Sequence, residues 1–258
     1  MQEHKVKVAL ITGGTSGIGW CTARGLREDG FRVLIMARRK ASLDAAAADG
    51  FDVLQGDVSL ESSFTQVTDE VSRRFGRLDV LINSAGIVES ERAESITIDS
   101  VKRLIEINLV GTILTNRAAL PLLKRNGGSI VNFSTGIVRT PVVGASVYAA
   151  AKAGVEGFSR ALAFEVGPLG IRVNVVAPSL VRSNIWLSAG MSPEVYERML
   201  VDRGGEYPLG RAGEPEDVAA LVRFLVTPQA SWITGAVIPV DGGSTLGRVQ
   251  PGASSAEQ

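Results

Sequence analysis

The sequence predicts an α/β fold, a doubly wound parallel sheet of about seven strands with helices on both faces. Three observations predict it. Short apolar runs rich in β-branched residues alternate with helical patterns along the 258 residues, and that alternation implies parallel strands joined by crossover helices. A glycine-rich turn, Gly13-x-x-x-Gly17-x-Gly19, joins the first run to the first helix. No repeat or low-complexity linker divides the chain, so residues 1–258 are expected to form one domain, with its core over about 6–245.

The first strand is the run Val8-Ala-Leu-Ile-Thr12. The turn after it contains Gly13, Thr15, Ser16, Gly17, Ile18 and Gly19. Glycines let backbone approach a phosphate, and a helix N-terminus offers free N–H groups and the positive end of its dipole. Such turns also close βα units that bind nothing, so the rest of the chain has to decide. The second strand, 31–36, runs into Ala37-Arg38-Arg39-Lys40. In dinucleotide folds an acid at this point binds a ribose 2′-hydroxyl, whereas an arginine fits a 2′-phosphate. No carboxylate occurs before Asp44. Arg38, with its planar fork, therefore points to NADP rather than NAD.

A short Ala-rich helix is expected over 42–49 and a third strand over 51–55. Asp57 follows; it suits a hydrogen bond from an adenine amino group or an N-cap for the segment from Ser59 onward. Phe64, Val67, Val71 and Phe75 have helical spacing, and Gly76 ends that helix. The fourth strand, 78–82, closes on Asn83-Ser84-Ala85-Gly86, and 87–95 reads as loop. A single long helix is expected over 97–124. Asn108 lies in its middle between Ile107 and Leu109, a poor interior helix residue whose apolar flanks suggest a buried role. The fifth strand, 128–133, ends at Ser134-Thr135.

Composition excludes several function classes. Lys+Arg and Asp+Glu balance at 27 each, so no charge excess favours nucleic acid or an anionic membrane surface. No apolar stretch approaches membrane-spanning length, and the lead 1–7 lacks a signal-peptide pattern. A single cysteine, Cys21, allows no intrachain disulfide and suits a reducing, cytoplasmic setting; it reads as a small residue packed under the sheet. The one histidine, His4, falls in the lead and reads as a surface residue. A His-based triad or His-rich metal site is therefore excluded, and no metal is expected.

The helix after the fifth strand carries Tyr148-Ala-Ala-Ala-Lys152. Positions i and i+4 share a helical face, and a nearby ammonium stabilises phenolate, which would lower the tyrosine's pKa toward acid/base use.

Together these residues resemble the single-domain short-chain dehydrogenase/reductases. The segments that carry the resemblance are Thr12 to Gly19, Asn83 to Gly86, Ile107-Asn108-Leu109, Val131 to Thr135, Tyr148 to Lys152, Ile171 to Pro178, Gly213 to Ala219 and Ile233 to Gly243, in that order. They span nearly the whole chain, about 6–245, and each is weak alone but specific as a set. The resemblance implies a Rossmann fold and an NAD(P)-dependent oxidoreductase acting on a ketone or secondary alcohol, with 3-oxoacyl compounds among the candidate substrates. It implies that Gly13, Thr15, Ser16, Gly17, Ile18 and Gly19 wrap the pyrophosphate. Asp57 and Val58 would hold adenine, and Asn83, Ala85 and Gly86 the adenosine and ribose side. Pro178, Val181 and Ser183 would meet the nicotinamide side. Tyr148 would be the general acid/base and Lys152 its partner, also reaching the nicotinamide ribose. Asn108 would anchor a water on the proton path. Three departures stand out: Ser84 where the family usually has Asn, Ser179 where it usually has Gly, and the substrate-orienting hydroxyl. Thr135 lies 13 residues before Tyr148, in the family's register, with Ser134 one place earlier. Thr135 is favoured and Ser134 stays open. Residues 184–209, with Trp186, Met191, Tyr196, Met199 and Leu200, are expected to form a lid over a partly hydrophobic substrate, with a short helix at 195–200. The tail 247–258 is expected to be polar and poorly ordered. The apolar helices over 97–124 and 146–166, with the resemblance, suggest a homotetramer or homodimer. The rival readings are an NAD-linked secondary alcohol dehydrogenase and a non-catalytic dinucleotide sensor; the intact Tyr148, Lys152 and Asn108 oppose the sensor.

Overall fold

In the computed structural model, which describes residues 6–249, the apolar runs form one parallel sheet. Its strands are β1 (Val8–Thr12), β2 (Arg32–Ala37), β3 (Asp52–Gln55), β4 (Val80–Asn83), β5 (Gly128–Phe133), β6 (Ile171–Pro178) and β7 (Val237–Val240). They pair in the order β3-β2-β1-β4-β5-β6-β7. β1 is buried along its length, as a central parallel strand covered on both faces must be. The order reverses direction between β1 and β4, and ligands of open α/β sheets bind outside the carboxyl ends of strands at such a reversal. His4 and residues 250–258 lie outside the described residues.

The helices are α1 (Gly17–Glu28), α2 (Lys40–Ala48), α3 (Glu61–Arg74), α4 (Ile98–Ile105), α5 (Gly111–Leu123), α6 (Ser146–Val166), α7 (Ile185–Ser188), α8 (Pro193–Gly205) and α9 (Pro215–Leu225). Ala23, Leu26, Leu43, Val218 and Val222, from α1, α2 and α9, cover one face of the sheet. Val67, Val71, Ala119, Leu122, Leu162 and Val166, from α3, α5 and α6, cover the other.

Several expectations change in detail. The long helix expected over 97–124 is broken by a π turn, Glu106–Val110, in which Asn108 is wholly buried. The helix expected over 42–49 begins earlier, at Lys40. The lid helix expected over 195–200 is the whole of α8, started by Ser192, whose side chain accepts from the Val195 N–H, and by Pro193. Asp57 is no N-cap, since α3 starts at Glu61 with Leu60 at its cap. Cys21 is only half-buried in α1, where burial and then Glu216 of α9 push its thiol up to about 11.

The three glycines of the first turn serve different ends. Gly13 has φ 68°, and a Cβ there would stand 2.8 Å from the Ala85 Cα, so the turn lies directly against the exit of β4. Gly17 has φ 52° and opens α1. Gly19 is buried, and a Cβ there would meet the Gly13 carbonyl oxygen at 2.5 Å. Gly19→Ala is therefore expected to push α1 off the turn and to destabilise the chain by roughly 1–3 kcal/mol, as overpacking does. Urea denaturation of the purified variant checks this; an unchanged midpoint would mean that the turn yields freely.

Candidate active site

Two connected clefts open at the carboxyl edge of the sheet, beside the β1/β4 reversal. The first holds about 750 Å³. Gly13, Thr15, Ser16, Gly17 and Ile18 line one end; Arg38, Arg39, Asp57 and Val58 line another; Ala85 and Gly86 form its floor, and Ser183 and Ile185 close it from the lid. No side chain caps α1 at Ser16, and no acid lies in its first turn. The positive end of that helix thus faces the cleft without a protein anion to answer it. Glycines that admit no Cβ, an unanswered helix terminus and an exposed guanidinium together fit a phosphate-bearing dinucleotide.

The basic turn after β2 divides its labour. Lys40 pairs with Asp44 at 2.7 Å, one turn along α2, and is absent from the cleft wall. Arg38 and Arg39 face the cleft. The Arg38 Nη1 stands 3.8 Å from Asp57 Oδ2, with more than half its side chain exposed, so it remains free to meet a ligand. Asp57 Oδ1 accepts from the Ser59 N–H at 2.9 Å and the Ser59 hydroxyl at 2.8 Å, which closes a local turn and leaves the other oxygen toward Arg38.

Two expected cofactor residues lie outside both cleft walls. Gly19 packs inward, as described. Asn83 is buried; its Nδ2 donates to Asn132 Oδ1 at 2.8 Å, and Asn132 in turn donates to Ser159 Oγ at 2.9 Å. The side chain of Asn83 therefore joins β4, β5 and α6 under the cleft rather than lining it. Residue alternation along β4 decides this, because neighbouring side chains point to opposite faces.

The second cleft, about 590 Å³, lies between the end of β5, α6 and the lid. Phe133, Ser134, Thr135, Tyr148, Lys152, Pro178 and Val181 line it, and Ile18, Ser84, Gly86, Val88, Ser183 and Ile185 are shared with the first. Lys152 Nζ donates to the Phe133 carbonyl at 3.1 Å and stands 5.9 Å from the Tyr148 ring centroid. Burial lowers the Lys152 ammonium to about 8 and raises the Tyr148 phenol to about 12. The expected lowering of the tyrosine by its lysine is thus overridden in the bare protein: desolvation outweighs an ammonium that is itself desolvated and turned to a carbonyl.

The two candidate hydroxyls separate cleanly. Ser134 Oγ donates to the buried Glu156 Oε1 at 2.7 Å, and Arg139 stands 3.4 Å from the same oxygen. Thr135 Oγ1 accepts from the Ile137 N–H at 3.3 Å, which leaves its own hydrogen free for the cavity. Asn108 spends its amide on protein. Its Oδ1 accepts from the Ile87 N–H at 3.1 Å, and its Nδ2 donates to the Ile87 and Leu104 carbonyls, both at 3.0 Å. The side chain thereby anchors the segment that carries Gly86.

Arg39, Tyr207, Arg203 and Arg248 also line the clefts and had no site role in the sequence reading; Ser84, noted there only as a departure from the family pattern, lines both. Ser179 Oγ and the Tyr207 hydroxyl are hydrogen-bonded at 3.0 Å, so the serine that replaces the family's usual glycine has a partner in the lid. Among the described residues no group of three or more His, Cys, Asp and Glu could hold a metal ion, and no helix is long and apolar enough to cross a membrane.

The family model for enoyl-(acyl carrier protein) reductase matches residues 13–245. The chain is 35% identical over 249 residues to meso-2,3-butanediol dehydrogenase of Serratia marcescens, covering 95% of this chain and 97% of that one. It is 38% identical over 244 residues to the bovine (Bos taurus) 3-oxoacyl-[acyl-carrier-protein] reductase, covering 93% and 98%. The ligand-free aldohexose dehydrogenase of Thermoplasma acidophilum superposes with a TM-score of 0.86 at 29% identity, over 98% of each chain.

The depressed Lys152 gives a stability signature. Below pH 8 both folded and unfolded chains carry the ammonium, and the folded chain bears its desolvation. Between about 8 and 10.5 the folded chain releases its proton first, so the penalty fades as pH rises and is gone above 10.5. Lys152→Met is expected to stabilise the protein at pH 7 by roughly 1–3 kcal/mol, discounting the lost bond to Phe133. The gain should shrink by pH 10. Paired urea titrations at the two pH values measure it; a variant less stable at pH 7 would contradict a buried ammonium.

Proposed function

Because this chain belongs to the short-chain dehydrogenase/reductase family, we propose that it is an NADP(H)-preferring ketoreductase for a small or medium, partly hydrophobic substrate. As a family member it is an NAD(P)-dependent oxidoreductase acting on carbonyl and CH–OH groups of small molecules. The observation that carries the finer reading is the convergence, on one cavity, of the Tyr148 side chain and a Thr135 hydroxyl with its hydrogen free, beside a cleft that carries Arg38. The name of the bovine relative supports a 3-oxoacyl-type substrate among the candidates. Phe164, 91% exposed on α6, supports assembly into a homodimer or homotetramer across that helix.

Gly13, Gly17, Ser16 and the N-terminus of α1 would hold the pyrophosphate, Arg38 the 2′-phosphate, and Asp57 and Val58 the adenine. When bound, the dinucleotide supplies a hydride to the carbonyl carbon or takes one from the alcohol. Thr135 and Tyr148 would hydrogen-bond the carbonyl oxygen, where negative charge grows as the carbon is reduced. With its phenol held at about 12 by burial, Tyr148 is protonated at neutral pH. It can therefore deliver a proton in the reductive direction with no prior ionisation. Lys152, fixed by Phe133, holds positive charge beside the phenol as that proton leaves. Trp186, Met199 and the Ile137–Val143 segment would exclude water from the substrate's apolar part.

Tyr148→Phe should remove nearly all NADPH-dependent ketone reduction while cofactor binding, followed by fluorescence titration, persists. Thr135→Val should lose about 10²-fold in kcat, and Ser134→Ala distinctly less. The reverse order would transfer the orienting role to Ser134, and normal turnover in Tyr148→Phe would sink the assignment. Native protein should bind NADP more tightly than NAD, and Arg38→Ala should weaken NADP binding about 10- to 100-fold with little change for NAD, as loss of charge-assisted hydrogen bonds implies. Equal native affinities would refute the NADP preference.

A further inference from the structure

The substrate cavity carries cations and no acid. Lys152, Arg203 and Arg248 line it, and no Asp or Glu does. The neighbouring cleft is mixed, with Asp57, Glu89 and Glu91 beside Arg38 and Arg39. Two of the three cations in the substrate cavity are committed. Lys152 donates to the Phe133 carbonyl, and Arg248 is ion-paired with Glu206. Arg203 makes no ion pair among the described residues. It stands in the last turn of α8, three residues before Glu206, and both arginines line the cavity at that end of α8, its cationic corner.

That corner is close to the reacting groups. A Cβ on Gly136, next to Thr135, would stand 3.4 Å from Ser179. Ser179 Oγ is 3.0 Å from the Tyr207 hydroxyl, and the Tyr207 N–H donates to the Gly204 carbonyl at 3.0 Å, beside Arg203. A path of contacts thus runs from the Thr135–Gly136 segment through Ser179 and Tyr207 to the end of α8 that carries Arg203. Apolar groups of Ile137, Val142, Trp186 and Met199 fill the rest of the wall.

We propose that this corner binds a carboxylate carried by the substrate, so that the enzyme interconverts an oxo acid and the corresponding hydroxy acid. The inference rests on the ketoreductase reading and names its substrate class. Arg203 is the guanidinium of the cavity left without an acid, and its fork matches a carboxylate geometrically, while the Lys152 charge stays beside Tyr148. An apolar, partly enclosed wall strengthens the attraction relative to open water, while the exposure of Arg203 keeps it moderate. The acid is bound unchanged. At the carbonyl, the carbon gains the hydride and the oxygen gains the proton of Tyr148, with NADPH oxidised to NADP.

The test uses the full chain with NADPH and the series acetoacetate, levulinate and 5-oxohexanoate, each against its methyl ester. The reading is the ratio of kcat/KM for acid over ester. For at least one chain length the native ratio should be about ten or more, and it should fall in 0.5 M salt. Arg203→Gln should lower it about tenfold, and Arg203→Lys, which keeps the charge without the fork, should retain part of it. Turnover of esters as well as acids by the native protein, or an equal loss for both in Arg203→Gln, overturns the carboxylate assignment and leaves the ketoreductase reading standing. Turnover of neither acids nor esters overturns both.

Discussion

The grip of Asn108 on Ile87 is the constraint from which the site is built. The amide of Asn108 meets both the N–H and the carbonyl of Ile87, and also the Leu104 carbonyl of its own helix. A regular α-helix would not turn a side chain at this position so fully inward, and the π turn Glu106–Val110 supplies the extra residue that does. The grip holds Gly86, one residue upstream, at the point where both clefts meet. A Cβ on Gly86 would stand 2.8 Å from Asn108 Oδ1 and 3.7 Å from Lys152 Nζ. Helix, floor and lysine are thus fitted together with no room for a side chain. An apolar residue at 108 would leave the Ile87 N–H and carbonyl buried without partners, a penalty of about 1–3 kcal/mol for each group.

Around that fixed point the molecule assigns charge by location. The mixed wall of the first cleft, with Arg38 opposite the α1 terminus, suits a long ligand with phosphates near both ends. The second cleft contains only positive groups, and burial tunes them: the lysine is brought down toward neutrality and the tyrosine is kept protonated. Desolvation dominates both shifts because the two side chains lie beneath the lid and against β5. The polar residues under the floor are joined to one another. Asn83, Asn132, Asn116 and Ser159 form a hydrogen-bonded chain, which ties the strands at the reversal to the helices that present Asn108 and Tyr148. Such a network gives a buried edge one geometry rather than several.

Periodicity made the sheet, the glycine turn and the Tyr148–Lys152 face legible, since each is a local pattern with a local cause. Asn108 was visible as an anomaly, a helix-poor residue between two apolar ones, but its partner Ile87 is 21 residues away and no spacing rule reaches it. Arg38 was chosen over Arg39 and Lys40 for its fork and its place at the strand end, without a structural reason to set Lys40 aside. What separates them is where α2 begins: Lys40 is its first residue and finds Asp44 one turn on, so only the arginines stay at the cleft. Asn83 was assigned to the cleft because the motif contains it, yet the strand pleat turns its side chain to Asn132. Register favoured Thr135 over Ser134 but left Ser134 open. The buried Glu156, one turn beyond Lys152 on the same face of α6, takes the Ser134 hydroxyl and leaves Thr135 to the cavity.

Ser179 links this chemistry to the lid. Where the related pattern has glycine, a hydroxyl here meets Tyr207, and a second tyrosine, Tyr196 of α8, accepts the Ser183 N–H at 2.7 Å. The lid is therefore held to the chain leaving β6 by two phenol contacts, each of about 1 kcal/mol in net terms. The ion pair of Arg182 with Glu197 at 2.6 Å adds a third tie between this segment and α8. Both phenol contacts start from the segment 178–183, which also lines the second cleft. A shift of α8 must therefore be felt at Val181, which bridges to Gly213 at the foot of α9. Arg203 of α8 and residues 178–181 and 183 thus line one cavity and are joined through one set of contacts.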